Sequence, residues 1–441
     1  MKVQIEDVSP YEKKLLFEIP PEVVSQELDS AYRTLNRNVK IKGFRPGKVP
    51  RSILERYYKS QVEDEVFSKL ATDSFEKAIA DNQLKPVASP TVLDRSYQTG
   101  QELKYTMTVE VRPQITISDY TGMEIEKDAV QVSDEEVETR IKGIQDAHAQ
   151  LKTIDPPRPI QEKDFAVMDF EGRMSGKILE GWNVKDHLVE VGSKTLVGDL
   201  DQHLLGLSPN EEKDVTITLP DTYSQKELAG KAIQVHLKVK EIKEKIIPAL
   251  DDEFAKDVGE FNNLQDLRER VQKDIRDQKQ ADSERRAKEK ILSRLVEKIS
   301  FEIPKSLLER RVQSLIARTE LRLSRQGMNL ETANVDRQKL QESLRPVAEK
   351  DVRGILILEK IAEQEKLSVS EEEVQKRLEE MAAQLNQRVE AIRKYYEKEG
   401  ILEDLRGQIL EEKTLDFLLK SARVTEGPPA EAHEPTPEET K

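Results

Sequence analysis

From Ile41 to Pro50 the chain reads Ile-Lys-Gly-Phe-Arg-Pro-Gly-Lys-Val-Pro, a run of side chains suited to meeting a polyanion. Lys42, Arg45 and Lys48 carry cations of the kind that neutralise phosphates in a salt-dependent way. Phe44 stands between Gly43 and Gly47 with no apolar sequence neighbour at its side, and a ring so placed packs on an unstacked base or on an apolar patch of a protein. Charge here is inverted relative to the rest of the chain. No acidic residue occurs from Ser30 to Leu54, whereas Arg33, Arg37, Lys40, Lys42, Arg45, Lys48 and Arg51 are all basic, in a chain of net charge -14. A solvated face is the ordinary reading of a charge run. An exposed aromatic at the centre of this one favours a partner, and the chemistry is that of a ribonucleoprotein surface.

Other residues with ligand chemistry are few. His148 falls on an apolar stripe with Val137, Ile141, Ile144 and Leu151 and reads as a packed or edge histidine. His187 and His203 have no carboxylate or third ligand at metal spacing, so no metal site is expected. The absence of cysteine rules out disulfides and thiolate metal centres and fits a reducing compartment. No glycine-rich phosphate loop with Lys-Ser/Thr is present, and neither nucleotide nor any other cofactor is expected.

The basic run has to be positioned. Glycine and proline at this density cannot continue a helix, since glycine carries a backbone entropy cost and proline lacks the amide donor. Val24, Leu28, Tyr32 and Leu35 before it, and Ile53, Leu54 and Tyr57 after it, recur at helical spacing, which predicts a loop at the tip of two helices. Strand-like runs surround the pair: Val3–Val8, Lys14–Ile19, Pro86–Ala88 with Thr91–Leu93, and Leu103–Val111.

Over the whole chain, charged residues make up 35% against the ~25% of ordinary globular proteins. The length of 441 residues favours about three domains. Met1–Glu6 alternates like a strand with no apolar stretch behind it, so no secretory signal is expected, and no run of about 18 apolar residues predicts a membrane span. A cytoplasmic location follows as the expectation. The fold class expected is α+β multidomain. Residues 1–112 read as an α+β domain and 113–159 as a linker with a helix opened by the capping box at Ser133. Residues 160–243 read as an antiparallel β domain around one short helix, 244–424 as an elongated all-α domain with arms, and 425–441 as a disordered acidic tail. The helix after Ser133 lacks a partner nearby, which predicts that it packs on the helical arms and that the β domain is an insertion. Pro346 and Gly354 predict bends in the helix running from Leu340 to Ile361.

Gly43-Phe44-Arg45-Pro46-Gly47-Lys48-Val49-Pro50 resembles the ribosome-docking signature of the bacterial trigger factor family. Position 46 is often basic in that family and is proline here. The resemblance implies ribosome binding through Gly43, Phe44, Arg45, Pro46, Gly47, Lys48 and Pro50, at the protein and rRNA of the large subunit near the tunnel exit. It further implies ATP-independent holding of nascent or unfolded polypeptides, with roles in folding, protein export and cell division. No membrane partner is implied, and a homodimer of the free chain belongs to the same set of expectations.

Asp169-Phe170-Glu171-Gly172, Glu180-Gly181, Val191-Gly192 and Leu219-Pro220-Asp221-Thr222-Tyr223 resemble landmarks of an FKBP-type prolyl isomerase domain. Such an enzyme lowers the roughly 18–20 kcal/mol barrier to rotation about the imide bond in an apolar pocket, without nucleophile or metal. The resemblance assigns the pocket to Phe170, Leu179, His187, Val197, Leu200 and Tyr223. Leu179, His187 and Leu200 stand where aromatics are usual, which predicts weak or absent turnover. Trp182 reads either as a substitute wall or as a core residue. Two other readings are a true isomerase targeted by its arms, and a helical scaffold binding RNA or protein through the basic loop without clients.

Overall fold

The computed structural model describes residues 1–429 except 43, 46, 98–100, 175, 194, 221, 222, 224, 226 and 227. Its first elements are strands β1 (Lys2–Asp7) and β2 (Glu12–Ile19), helices α1 (Pro21–Asn38) and α2 (Arg51–Asn82), and strands β3 (Thr91–Ser96), β4 (Leu103–Glu110) and β5 (Glu124–Ala129). Next come α3 (Asp134–Ala147), β6 (Gln150–Thr153), β7 (Phe165–Met174), β8 (Lys177–Glu190), a 3-10 helix at Val197–Leu204, β9 (Glu212–Thr218), β10 (Ala232–Ile246) and α4 (Asp252–Val258). The rest is α5 (Leu264–Lys298), α6 (Lys305–Arg325), α7 (Arg337–Gln364), α8 (Glu371–Leu385), α9 (Val389–Glu399), α10 (Leu402–Ser421) and β11 (Arg423–Pro429). Two units result, one of Met1–Asp128 with Glu284–Pro428, the other built on Ala129–Ser283.

In the first unit a four-stranded antiparallel sheet has the order β1-β2-β4-β3. Alternation decides which face is buried: Leu15, Phe17 and Ile19 of β2 lie beside Leu103, Tyr105, Met107 and Val109 of β4, and α1 and α2 cover them with Val24, Leu28, Tyr32, Leu54, Val62, Val66 and Leu70. Phe17 stacks on Tyr105 with ring centres 4.8 Å apart, and Phe67 meets Tyr105 edge-on at 5.4 Å. The expected Pro86–Ala88 strand is reduced to a single bridge between Pro86 and Val111.

The helical part of this unit has its own cores. Ala287, Ile291 and Leu295 of α5, Ile357 and Ile361 of α7 and Leu418 of α10 pack with Ile115, Ile117 and Ile125. Val312 and Ile316 of α6 meet Ala348 of α7, while Val374, Leu378, Ile392, Leu405 and Ile409 close α8, α9 and α10 into a third cluster. Helix α7 is continuous through Pro346 and through Gly354, where a Cβ would lie 3.2 Å from Leu292. The expected acidic tail also needs correction at its start: residues 425–429 belong to β11, which pairs with β5. Residues 430–441 lie outside the described residues.

Arg112 reaches Glu359 of α7 at 2.6 Å, and Lys85 reaches Glu363 at 3.2 Å. Burial pushes the carboxyls of Glu359 and Glu411 above the ordinary glutamate range; at Glu411 repulsion from Glu359 and Asp351 adds to the shift, while Arg112 and Lys85 oppose it at Glu359 and Arg311 opposes it at Glu411. A carboxyl raised in the folded state contributes stability that is fully present below its unfolded value and lost as pH rises through the folded one. Acidification from neutrality to about pH 5 therefore raises the urea midpoint of the helical signal in circular dichroism. Glu411→Gln flattens that part of the profile. Carboxyls held low by their cations, such as Asp128 by Arg286, lose stability only further down.

In the second unit the sheet order is β6-β10-β7-β8, with β9 also on β10. Thus Gln150–Thr153, expected in a linker, is a strand of this sheet, in register with Lys243–Ile246. The capping box at Ser133 forms, its backbone amide donating to Glu136 Oε2 at 2.9 Å. Val137 and Ile141 of α3 then pack against Phe254, Ala255, Leu267 and Val271, so this helix finds its partners in α4 and the first turns of α5. His148 caps α3 and meets Phe254 edge-on at 6.1 Å.

Candidate functional site

The basic run forms the connection between α1 and α2, and Asn36 near the end of α1 holds it. Asn36 Nδ2 donates to the Val49 carbonyl at 3.2 Å, and the Val49 amide donates to Asn36 Oδ1 at 3.1 Å. A third bond, from the Gly47 amide to the Asn36 carbonyl at 2.8 Å, closes the loop on the helix. Gly47 has φ +81°, a conformation that L residues seldom adopt, and open space around the missing Cβ. Inward, Val49 is buried in the sheet–helix core; outward, Phe44 is 39% exposed. The loop is therefore pinned at its base with its ring turned out.

Arg33, Arg37, Lys40, Lys42, Arg45, Lys48 and Arg51 are all exposed. Arg51 is committed within the fold, paired with Asp29 and Glu55 and lying 4.9 Å from the centre of the Tyr32 ring. Among the described residues, the other six have no carboxylate partner. Of the residues assigned to docking, Phe44, Arg45, Gly47, Lys48 and Pro50 share this loop, Pro50 as the N-cap of α2, and Gly43 and Pro46 lie outside the described residues. Sequence reasoning missed Asn36, because a bidentate side-chain-to-backbone clamp across thirteen positions leaves no periodic trace. Asn36→Ala removes two hydrogen bonds, worth about 1 kcal/mol each, and leaves the Val49 groups unpaired. The expected result is a melting temperature lower by several degrees, read by a thermal scan, together with binding of the loop to its polyanionic partner about tenfold weaker.

The second candidate site lies on the sheet of the other unit. Alternation along β7 puts Ala166, Met168, Phe170 and Gly172 on one face, with Ala166 and Met168 fully buried. Phe170 meets His187 edge-on at 5.7 Å and Trp182 edge-on at 6.2 Å, and Trp182 lies 6.4 Å from Tyr223. Leu200 in the 3-10 helix is buried, Leu179 and Tyr223 are half-buried against the same core, and Val197 is 37% exposed. Thus five of the six assigned positions surround one apolar cluster, and Val197 stands at its margin. Nearby, burial would raise the Asp169 carboxyl, but Lys240 at 2.7 Å and the Asp186 amide at 2.8 Å more than offset this and hold it low. Among the described residues no group of three or more His, Cys, Asp or Glu is placed to hold a metal, and no helix is long and apolar enough to cross a membrane.

A sheet–helix domain with a clamped basic tip, an FKBP-like sheet and paired helices together define a chaperone class with an isomerase-type domain. Family comparison agrees along the chain. Residues 1–144 match the model for bacterial trigger factor protein, residues 263–420 the model for its C-terminus, and residues 156–240 the model for FKBP-type peptidyl-prolyl cis-trans isomerase. Trigger factor of Geotalea uraniireducens is 32% identical over 97% of this chain and 99% of its own length, and that of Syntrophotalea carbinolica is 35% identical over 96% of each. A solved trigger factor chaperone structure, described for promiscuous substrate recognition in folding and assembly, covers 95% of this chain and 99% of its own, with a TM-score of 0.56 at 24% identity. The chain belongs to the bacterial trigger factor family.

Proposed function

We propose that the chain docks on the large ribosomal subunit near the tunnel exit through the loop of residues 42–51, touching protein and rRNA, and holds nascent or unfolded polypeptide on its helical hairpins without ATP. One observation carries the reading: an exposed Phe44 among unpaired cations, on a loop whose base is clamped by Asn36. Clamping removes the ordering cost from the binding step, and the cations supply attraction that weakens with salt. The second half of the reading is supported by apolar side chains on the paired helices. Leu321 on α6, Met328 in the connector, Val347 on α7, Leu385 at the end of α8 and Tyr395 on α9 are exposed large hydrophobics that the cores leave uncovered.

An open cleft of about 1980 Å³ lies in the same unit, lined among others by Arg112, Arg311, Glu359, Glu363, Arg406 and Glu411. Its mixed charge and modest apolar content suit weak contacts made at many points. A client held that way is released to fold. Residues 165–246 act as an FKBP-type domain with reduced turnover, because Leu179, His187 and Leu200 replace ring walls with an aliphatic or polar edge. Co-sedimentation with ribosomes at low and moderate salt, together with suppression of aggregation of a diluted, denatured client, tests both halves. Salt-sensitive sedimentation and suppression by the same preparation are expected; a chain that sediments but suppresses nothing is a scaffold, and one that does neither overturns the reading.

A further inference from the structure

We propose that Trp182 occupies the substrate seat of the isomerase-type domain, so that the pocket is closed from within by the chain's own indole. This rests on reading residues 165–246 as an isomerase-type domain. Trp182 is the single tryptophan of the chain and is only 7% exposed. It follows Gly181, which has φ +81°, inside β8, where the pairing of β7 with β8 shifts register. Its ring lies between the two aromatics that remain of the assigned pocket, Phe170 at 6.2 Å and Tyr223 at 6.4 Å. Beneath it the backbone is cut to fit: a Cβ on Gly172 of β7 would stand 2.8 Å from the indole.

A prolyl isomerase needs an empty apolar volume in which the twisted imide binds better than the planar one. Here an indole larger than a prolyl ring takes the space between Phe170 and Tyr223. A ring acting as a wall for substrate would present an open face, and one so deeply buried has none to present. The loss of aromatics at Leu179, His187 and Leu200 is then one half of the departure from an isomerase, and the filling of the seat by Trp182 is the other. The ligand class excluded is the Xaa–Pro segment of an extended peptide. Removing the indole readmits it.

The test uses the full chain and an Ala-Leu-Pro-Phe tetrapeptide, following cis–trans isomerisation for the wild type and for Trp182→Ala, Trp182→Val and Trp182→Phe. Expected is a wild-type rate close to the uncatalysed one and a rise of about tenfold or more in Trp182→Ala and Trp182→Val, with Trp182→Phe, which keeps most of the volume, remaining low. The wild-type tryptophan emission is shielded from acrylamide and does not respond to the proline peptide. Efficient isomerisation by the wild type that falls in Trp182→Ala overturns the proposal, since the ring is then a working wall. Folded alanine and valine variants with no gain overturn it as well. So does loss of cooperative unfolding in both, because a structural core residue would then have been removed. Ribosome co-sedimentation of the same preparations depends on the basic loop of the other unit, so failure of the docking reading shows separately.

Discussion

Phe44→Ala with Arg45→Ala abolishes co-sedimentation with ribosomes at moderate salt and leaves the thermal unfolding of the chain unchanged. Neither side chain supports the fold. Phe44 projects outward from a loop whose inward anchor is Val49, and Arg45 has no carboxylate partner among the described residues. Aromatic and arginine anchors at the centre of an interface each cost about 2 kcal/mol or more on truncation. Losing both weakens affinity about a thousandfold, which is enough to empty the ribosome fraction at micromolar protein. The two halves of the variant separate by salt. Loss of Arg45 lowers the slope of log affinity against log salt by about one, while loss of Phe44 weakens binding at every salt concentration and leaves the slope alone. Equal sedimentation of variant and wild type would move the docking surface elsewhere.

The loop was legible because its signals are local. Glycine and proline break the helices within a few residues, and the reversal of charge sign stands out against a net -14. The clamp that makes the loop a rigid ligand was not legible, since Asn36 reads only as a polar position near a helix end until its amide is seen across the loop at Val49. The strands of the isomerase-type sheet were legible from alternation, and α3 from its capping box. What alternation misses is pairing across long separations. Arg423–Pro429, with a glycine and two prolines, has the composition of a linker, yet it pairs with β5, and Gly427 is packed so closely on Glu126 that a Cβ would lie 2.4 Å from its carboxylate. Trp182 was ambiguous for a related reason. Whether it forms a wall or fills the seat depends on Gly172 of the neighbouring strand, and only the packed structure sets one against the other.

Ile361→Ala is expected to separate the two activities in the opposite sense. Ile361 is fully buried on α7, in the core shared with Ile291 and Leu295 of α5 and Leu418 of α10. Truncating such a side chain costs about 2–5 kcal/mol, from lost transfer free energy and from the cavity left where neighbours cannot close in. The α1–α2 pair and its sheet draw on a different cluster, in which Leu54 and Phe17 are buried, so the loop keeps its base. The variant therefore sediments with ribosomes as the wild type does, while its urea midpoint by circular dichroism falls and its suppression of client aggregation fails at temperatures where the wild type still works. Fraying at the junction of α5, α7 and α10 is the cause, since α8 and α9 are fastened to the body through α10 by ion pairs such as Lys413–Glu373 at 2.6 Å and by the cluster around Leu378 and Ile409. If Ile361→Ala loses ribosome binding and client holding together, the sheet–helix domain and the helical body unfold as one cooperative element. The contacts of Arg112 with Glu359 and of Ser306 with Glu110 would then be what couples them.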